Sequence, residues 1–405
     1  MQCHKLKVLL YVTFVLCDFL VSSQFLLNAA NCSISAQKDF PKDKEPFLLK
    51  RTKRGRDDAD FFLPDYENQD DVFRVNKGER IYLVCPPASN YVSATKRHIQ
   101  GVDCKGHNVL SVGNQNFNFS QLACHAEVKP DVQITGTKCA RNGGTIIEIG
   151  FQAMGWHKTL RICHNIQLGH TYYTTHTVRT KLIKGGLYKR SNFQKASQRL
   201  YHGYDPNNYY KRTNQKEVFQ RIVGKNIFEY VNKRQFLARG HLSPVKDFPL
   251  TTWQKFTFVY SNAAPQWMSI NGGAWLSLET LVRENKKSDL YEVATGTHGV
   301  YKIKNKQGLA VGVSLNGDKI PVPEYFWKIV QDPVDKSCIA FVSINDPFLS
   351  APPAPICTDV CARNKWPVRN QDMSKGFVYC CSYDDFKRAV VDVPHFDCHS
   401  TLHYV

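Results

Sequence analysis

Apolar and polar positions alternate first in the N-terminal half of this chain. Ile81-Tyr82-Leu83-Val84-Cys85 and Thr145-Ile146-Ile147-Glu148-Ile149 are short β-branched runs between Gly, Pro and Asn clusters, the pattern of strands. They make residues 72–166 a β-rich region. Further on, Phe236-Leu237-Ala238 is a short apolar run ending at Gly240, which suits a strand end that projects His241. Thr257 to Tyr260 is a second strand candidate. From Ala274 to Glu284 the period changes. Trp275, Leu278 and Val282 recur at helical spacing, so a helix is expected, with Asn271 where its N-cap belongs. At the N-terminus an apolar run, Val8 to Val21, follows Lys5 and Lys7, is broken only by Thr13 and Asp18, and precedes Ser22-Ser23-Gln24. It is short for a membrane span and reads as a signal peptide over residues 1–23, which makes the protein secreted and extracellular. No later run is long enough for a membrane anchor.

Secretion changes how the cysteines read. Of 14, Cys3 and Cys17 leave with the signal, and the rest are expected in disulfides rather than as metal ligands. This applies also to the cysteine-rich tail, residues 346–405, with Cys357, Cys361, Cys380, Cys381 and Cys398. Residues 24–54 read as a pro-segment ending in Arg51-Thr52-Lys53-Arg54, a dibasic site with cleavage after Arg54. That cut would leave an odd number of cysteines in 55–405. Cys32 is therefore expected to pair with a cysteine of the main body, the rival being one free or intermolecular thiol. The acidic stretch 55–71 reads as a mobile arm. Asn31 and Asn118 begin glycosylation sequons.

Charge adds a partner. The chain carries 53 Lys and Arg against 35 Asp and Glu, a formal +18. Between Arg179 and Arg239 fifteen cations stand against three acids, interleaved with tyrosines such as Tyr201, Tyr204 and Tyr210. Cations suit phosphate contact and aromatic rings suit base stacking, so nucleic acid is the expected polyanion.

The chemistry concentrates in two segments, Leu237-Ala238-Arg239-Gly240-His241 and Asn262-Ala263-Ala264-Pro265-Gln266-Trp267 running on to Asn271-Gly272-Gly273-Ala274-Trp275 and Glu279. A neutral imidazole at His241 can deprotonate water near neutral pH, and an ordinary one would lose that capacity below pH ~6. The Asn271 amide oxygen can bind a hard cation such as Mg²⁺. Gly272 and Gly273 bare backbone N–H groups for a phosphate. Glu279 lies eight residues beyond Asn271, roughly 12 Å along a helix, where it could act on metal-bound water.

These segments resemble the DNA/RNA non-specific endonucleases, a ββα-metal (His-Me finger) family, and within it the secreted insect double-stranded ribonucleases. The family motif is D-R-G-H, then N-x-x-P-Q, then N-x-G-x-W with E four residues beyond the W. Arg239, Gly240 and His241 match the first part, Asn262, Pro265 and Gln266 the second, and Asn271, Gly273, Trp275 and Glu279 the third. Thr295-Gly296-Thr297 and Ile320 to Lys328 fit as well, so the likeness spans roughly 170–345.

The resemblance implies an α+β fold. A ββα-metal nuclease domain with a mixed or antiparallel sheet would occupy 167–405, behind the disulfide-stapled β-rich region. It implies His241 as general base, Asn271 as the direct ligand of Mg²⁺ (Mn²⁺ as substitute), and Glu279 on a metal-bound water. It also implies Arg239 and Arg283 on phosphate, with Asn262 and Gln266 supporting the site. Two departures stand out. Ala238 replaces the family Asp, and the family's upstream arginine has only His170 and Arg179 as nearby candidates. The implied reaction is hydrolysis of RNA, double-stranded RNA included, and of DNA, with little sequence preference and 5′-phosphate ends. The alternative is a non-catalytic secreted scavenger of nucleic acid, against which the intact His241, Asn271 and Glu279 stand.

Overall fold

The structure is a computed structural model. It describes residues 31–405 except 53–57, 142, 183–189, 202, 225–226, 369 and 371. The expected signal peptide and Arg54 lie outside the described residues. The chain divides into two units, Met1–Val128 with Ala153–Gly155, and Lys129–Gln152 with Trp156–Val405.

In the first unit, strand periodicity is plain in β5 (Asp70–Val75) and β7 (Ile99–Gly106). Phe73 and Val75 of β5, and Gln100, Val102 and Cys104 of β7, point inward at every second position. One sheet has three strands in the order β1 (Cys32–Ser35), β5, β4 (Asp65–Glu67). The other has six, in the order β3 (Ala59–Phe61), β2 (Phe47–Arg51), β6 (Arg80–Val84), β7, β8 (Val109–Val112), β9 (Gln115–Phe117). Two expectations change here. Residues 59–61, 65–67 and 70–71 lie in strands rather than a mobile arm, because Asn68 and Gln69 turn the chain with positive φ and Arg74 pairs with Glu67 across the hairpin. The stretch read as a pro-segment supplies two strands, and Phe47, Leu48 and Leu49 of β2 are all buried, between β3 and β6. Cys32 is bonded to Cys104, and Cys85 to Cys124. Asn118 is exposed, while the half-buried Asn31 accepts the Lys77 N–H at 3.1 Å.

A cut after Arg54 should therefore release nothing. Residues around Cys32 and β2 should stay with the body on a non-reducing gel and appear as a separate peptide only after reduction and denaturation. A Cys32 peptide lost without reductant would show that this bond does not form.

The second unit begins at Lys129, not near residue 167 as the sequence suggested. The reason is the sheet. β10 (Asp131–Ala140), β11 (Gly144–Gln152) and β12 (Trp156–Asn165) form an antiparallel meander whose last strand pairs with β13 (His170–Arg179). The sheet continues through β16 (Leu290–His298). Two short hairpins follow in the chain, β17 (Lys302–Lys304) with β18 (Ala310–Gly312), and β19 (Ser314–Asn316) with β20 (Lys319–Pro321). The sheet ends in β21 (Tyr325–Gln331), β22 (Ser337–Ile344) and β23 (Val378–Cys381), with β24 (Ser400–Thr401) added parallel to β22.

Alternation along β21 assigns the two faces of this sheet. Trp327 meets Phe386 of a C-terminal helix, Tyr383–Ala389, while Phe326 and Lys328 meet the Trp275 ring on the opposite face. The latter face carries β14 (Leu237–His241), β15 (Ala263–Trp267) and the helix Ala274–Glu284. Helix α1 (Arg212–Val223) precedes them, and we call the two later helices α2 (Ala274–Glu284) and α3 (Tyr383–Ala389). Helix α2 forms where the apolar period predicts it, burying Trp275, Leu278, Glu279 and Val282.

The tail is bound to the sheet by Cys338–Cys398, Cys357–Cys381 and Cys361–Cys380, and Cys139–Cys163 joins β10 to β12. All twelve cysteines from Cys32 onward are thus in disulfides. Among the described residues no helix is long and apolar enough to cross a membrane.

Candidate active site

β14 and β15 pair antiparallel, with Ala238 opposite Gln266, Arg239 opposite Pro265 and His241 opposite Ala263. The second strand is therefore 263–267, while 257–260 forms the lead-in to a helical turn at Tyr260–Asn262. Asn262 fixes the end of the hairpin. Fully buried, it accepts the Ser243 N–H through Oδ1 at 2.9 Å and donates through Nδ2 to the Ser243 and Thr257 carbonyls, both at 2.9 Å. Gln266 is equally buried, but neither amide atom has a hydrogen-bond partner. Its side chain lies against Gly240, where an added Cβ would come within 2.6 Å of Oε1.

His241 closes β14, with its ring 4.8 Å from Phe193 and edge-on to Phe258 at 4.9 Å. Its Nε2 is buried and without a partner among the described residues. Burial, reinforced by the positive charge of Arg190, pushes the imidazole down to about 3. It is neutral throughout the physiological range, rather than titrating near 6 as an ordinary imidazole would.

The neighbouring cleft has a volume of about 980 Å³ and is lined by Arg190, Asn207, Arg212, Arg239, Tyr260 and Asn271, among others. Arg239 enters an aromatic box. Its guanidinium carbon lies 5.3 Å from the Tyr210 ring centre, 5.6 Å from Tyr260 and 5.8 Å from Phe193. Arg212 lies over Phe236 at 4.2 Å. Asn271 is half-buried in the cleft, and its side-chain amide has no hydrogen-bond partner among the described residues. It does not cap α2. It ends a separate helical turn, Met268–Asn271, and Gly273 takes the N-cap position. A side chain at Gly273 would collide with the Ser269 and Lys375 carbonyls, each 2.4 Å from the Cβ position, so the glycine is a packing requirement. The 12 Å helical spacing to Glu279 does not apply, since Asn271 and Glu279 lie on separate helical segments.

Glu279 faces inward from α2. Burial raises its carboxyl to about 7 against the pull of Lys328, with Asp247 adding to the rise and Arg283 and Lys246 opposing it. Lys328 is buried and donates to Thr295 Oγ1. Arg283 is not free for phosphate. It donates to Asp247 at 2.9 Å and to Thr280 at 3.1 Å. Asp247 also holds His176 at 2.8 Å, and His176 in turn meets Ser243 at 2.9 Å. Burial would raise the Asp247 carboxyl, but His176, Arg283 and Lys328 together hold it below its ordinary value. This Ser-His-Asp arrangement sits in the core, with Ser243 wholly inaccessible, and it ties the strand end bearing His241 to the helix bearing Glu279.

The cleft thus brings Arg239 and Asn271 together, with His241 against Phe193 of its lining, while Glu279 is buried on α2 and does not line it. His170 and Arg179 stand at opposite ends of β13 and do not line it. The upstream arginines that do are Arg190 and Arg212, and it is the charge of Arg190 that acts on His241. Sequence reasoning counted Arg190 only among the fifteen cations. Asn207 and the His176–Asp247 pair carried no sequence signal, and Lys328 was marked only as the end of the matching segment Ile320 to Lys328. Tyr201 and Tyr210, expected as stacking surfaces, are buried, while Phe228 is 66% exposed with Lys216 over its ring.

Comparison with known proteins gives consistent likenesses. A family model described as DNA/RNA non-specific endonuclease matches residues 142–386. A salivary endonuclease of Lutzomyia longipalpis is 28% identical over 379 residues, covering 91% of this chain and 86% of that protein. The salivary protein Tsal2A of Glossina morsitans morsitans is 25% identical over 381 residues, covering 91% and 93%. A salivary endonuclease of Culex quinquefasciatus is 27% identical over 333 residues, covering 77% and 78%.

Proposed function

Since the chain belongs to the DNA/RNA non-specific endonuclease family, we propose that it is a secreted, divalent-metal-dependent endonuclease that cuts both RNA and DNA with little regard to sequence. The observation that carries this reading is His241, a neutral imidazole with an unpartnered Nε2, set beside a cleft that presents Arg190, Arg239 and Asn271. His241 takes the proton of the attacking water. Arg190 and Arg239 offset the charge that develops on the phosphate. The 3′ oxygen leaves, giving 5′-phosphate ends. The ribose 2′-OH takes no part in this chemistry, so both nucleic acids are substrates, double-stranded RNA among them.

The donor chemistry suits Mg²⁺, with Mn²⁺ as substitute. Asn271 lines the cleft with an amide oxygen that no described residue uses, a hard donor of the kind such an ion prefers, and the buried Glu279 carboxylate is a second hard oxygen donor on the helix that follows. When bound, the ion would supply Lewis-acid stabilisation of the phosphate and leaving oxygen. Arg283, pinned by Asp247, supports the site from below rather than contacting substrate. The relatives' names, salivary proteins, support secretion as the signal-like N-terminus does. The test is digestion of double- and single-stranded RNA and DNA by the purified protein, with and without chelator, and mapping of the ends. Finding 2′,3′-cyclic phosphates would overturn the mechanism, and binding without cutting would make the protein a scavenger.

The pH profile is a second check. The ionised form of Glu279 is the one that serves the site. Its carboxyl is raised to about 7, so that form predominates above pH 7 and is lost as the pH falls. His241, held at about 3, contributes nothing in this window. kcat/KM should therefore rise through pH 7, and Glu279→Gln should leave a low, flat profile. An acid limb near pH 6 that persists in Glu279→Gln would assign it to His241 instead.

A further inference from the structure

Asn207 meets two donors with one oxygen. It is the second residue of the helical turn Pro206–Tyr209, where the Asp205 side chain accepts its backbone N–H at 3.1 Å. From there its Oδ1 accepts Arg239 Nη2 at 2.8 Å and the Tyr260 hydroxyl at 2.8 Å. Tyr260 is also one wall of the aromatic box around Arg239, so the oxygen locks both the cation and its container. Among the described residues no carboxylate pairs with Arg239, and both Asn207 and Arg239 line the cleft. An ion pair at this place would hold the guanidinium equally well but would cancel its field. A neutral amide oxygen fixes the direction of the group and leaves its charge unspent. The rings around it exclude water and reduce screening of that charge.

We propose that Asn207 is the positioning residue for phosphate recognition, orienting Arg239 through an uncharged contact so that its full positive charge faces the cleft. This rests on the reading that the cleft takes nucleic acid.

The test uses the full chain in chelator, so that a labelled oligonucleotide binds without being cut, with Kd measured across a salt series. Asn207→Asp is isosteric and should keep the contact but neutralise the cation. It should weaken binding about tenfold at low salt and make the plot of log Kd against log salt shallower by about one. Asn207→Ser is too short to reach Arg239 and adds no charge; it should weaken binding with the slope nearly unchanged. In an Arg239→Met background Asn207→Asp should have no further effect. Equal thermal midpoints across the set exclude misfolding as the cause. Parental Kd and slope in Asn207→Asp, or the same loss with Arg239 already removed, would overturn the proposal alone. A parent chain that binds no oligonucleotide would overturn the nuclease reading with it.

Discussion

His241→Ala is expected to lower cleavage of both RNA and plasmid DNA by about 10²- to 10⁴-fold, the usual worth of a positioned general base. The expectation is sharp because the fold asks little of this imidazole. Its Nε2 has no partner among the described residues, so truncation breaks no hydrogen bond to them there and removes packing against Phe193 and Phe258. The strand end is held separately by Asn262 through Ser243, and by Ser243 through His176. Circular dichroism and the thermal midpoint should show a folded protein. Rates near those of the parent would remove His241 from the chemistry altogether.

Asn271→Ala should cost about a hundredfold or more, and chelation of the unaltered protein should do the same. Loss of Lewis-acid stabilisation is worth several kcal/mol, and each 1.36 kcal/mol is a factor of ten. The side chain makes no hydrogen bond among the described residues, so its removal should leave the Met268–Asn271 turn intact and act on the reaction rather than on stability. Mg²⁺ or Mn²⁺ added after chelation should restore the parent and leave the variant slow. Digestion that persists in chelator would contradict a metal-dependent reaction.

Much of the site was legible because two of its elements follow from local pattern. The apolar stop at Gly240 marked the end of β14, and the 3.6-residue period from Trp275 marked α2. β15 was less visible. Ala263 to Trp267 is buried at every position, so no alternation announces a strand, and Pro265 reads as a breaker. Asn271 resembled an N-cap by type and place, but the extra turn before it moves the cap to Gly273. The unit boundary at Val128 was hidden because β10 to β12 differ little in composition from the strands before them; only their pairing with β13 assigns them. The resemblance put Arg283 on phosphate, and nothing local reveals that Asp247, 36 residues away, accepts its hydrogen bond. Long-range polar partners such as Asn207 and the His176–Asp247 pair have no sequence signature, because a side-chain hydrogen bond needs only proximity.

The hairpin beneath the cleft divides its two neighbouring small residues into opposite evolutionary prospects. At Gly240 every larger residue would drive a carbon into the Gln266 side chain, so drift there is closed however selection acts on activity. Ala238 pairs opposite Gln266 and borders the cleft, so a polar side chain there would stand across from an amide with no partner among the described residues. Of the two, Gly240 is the position whose residue the packing itself dictates, and Ala238 the one that borders the cleft.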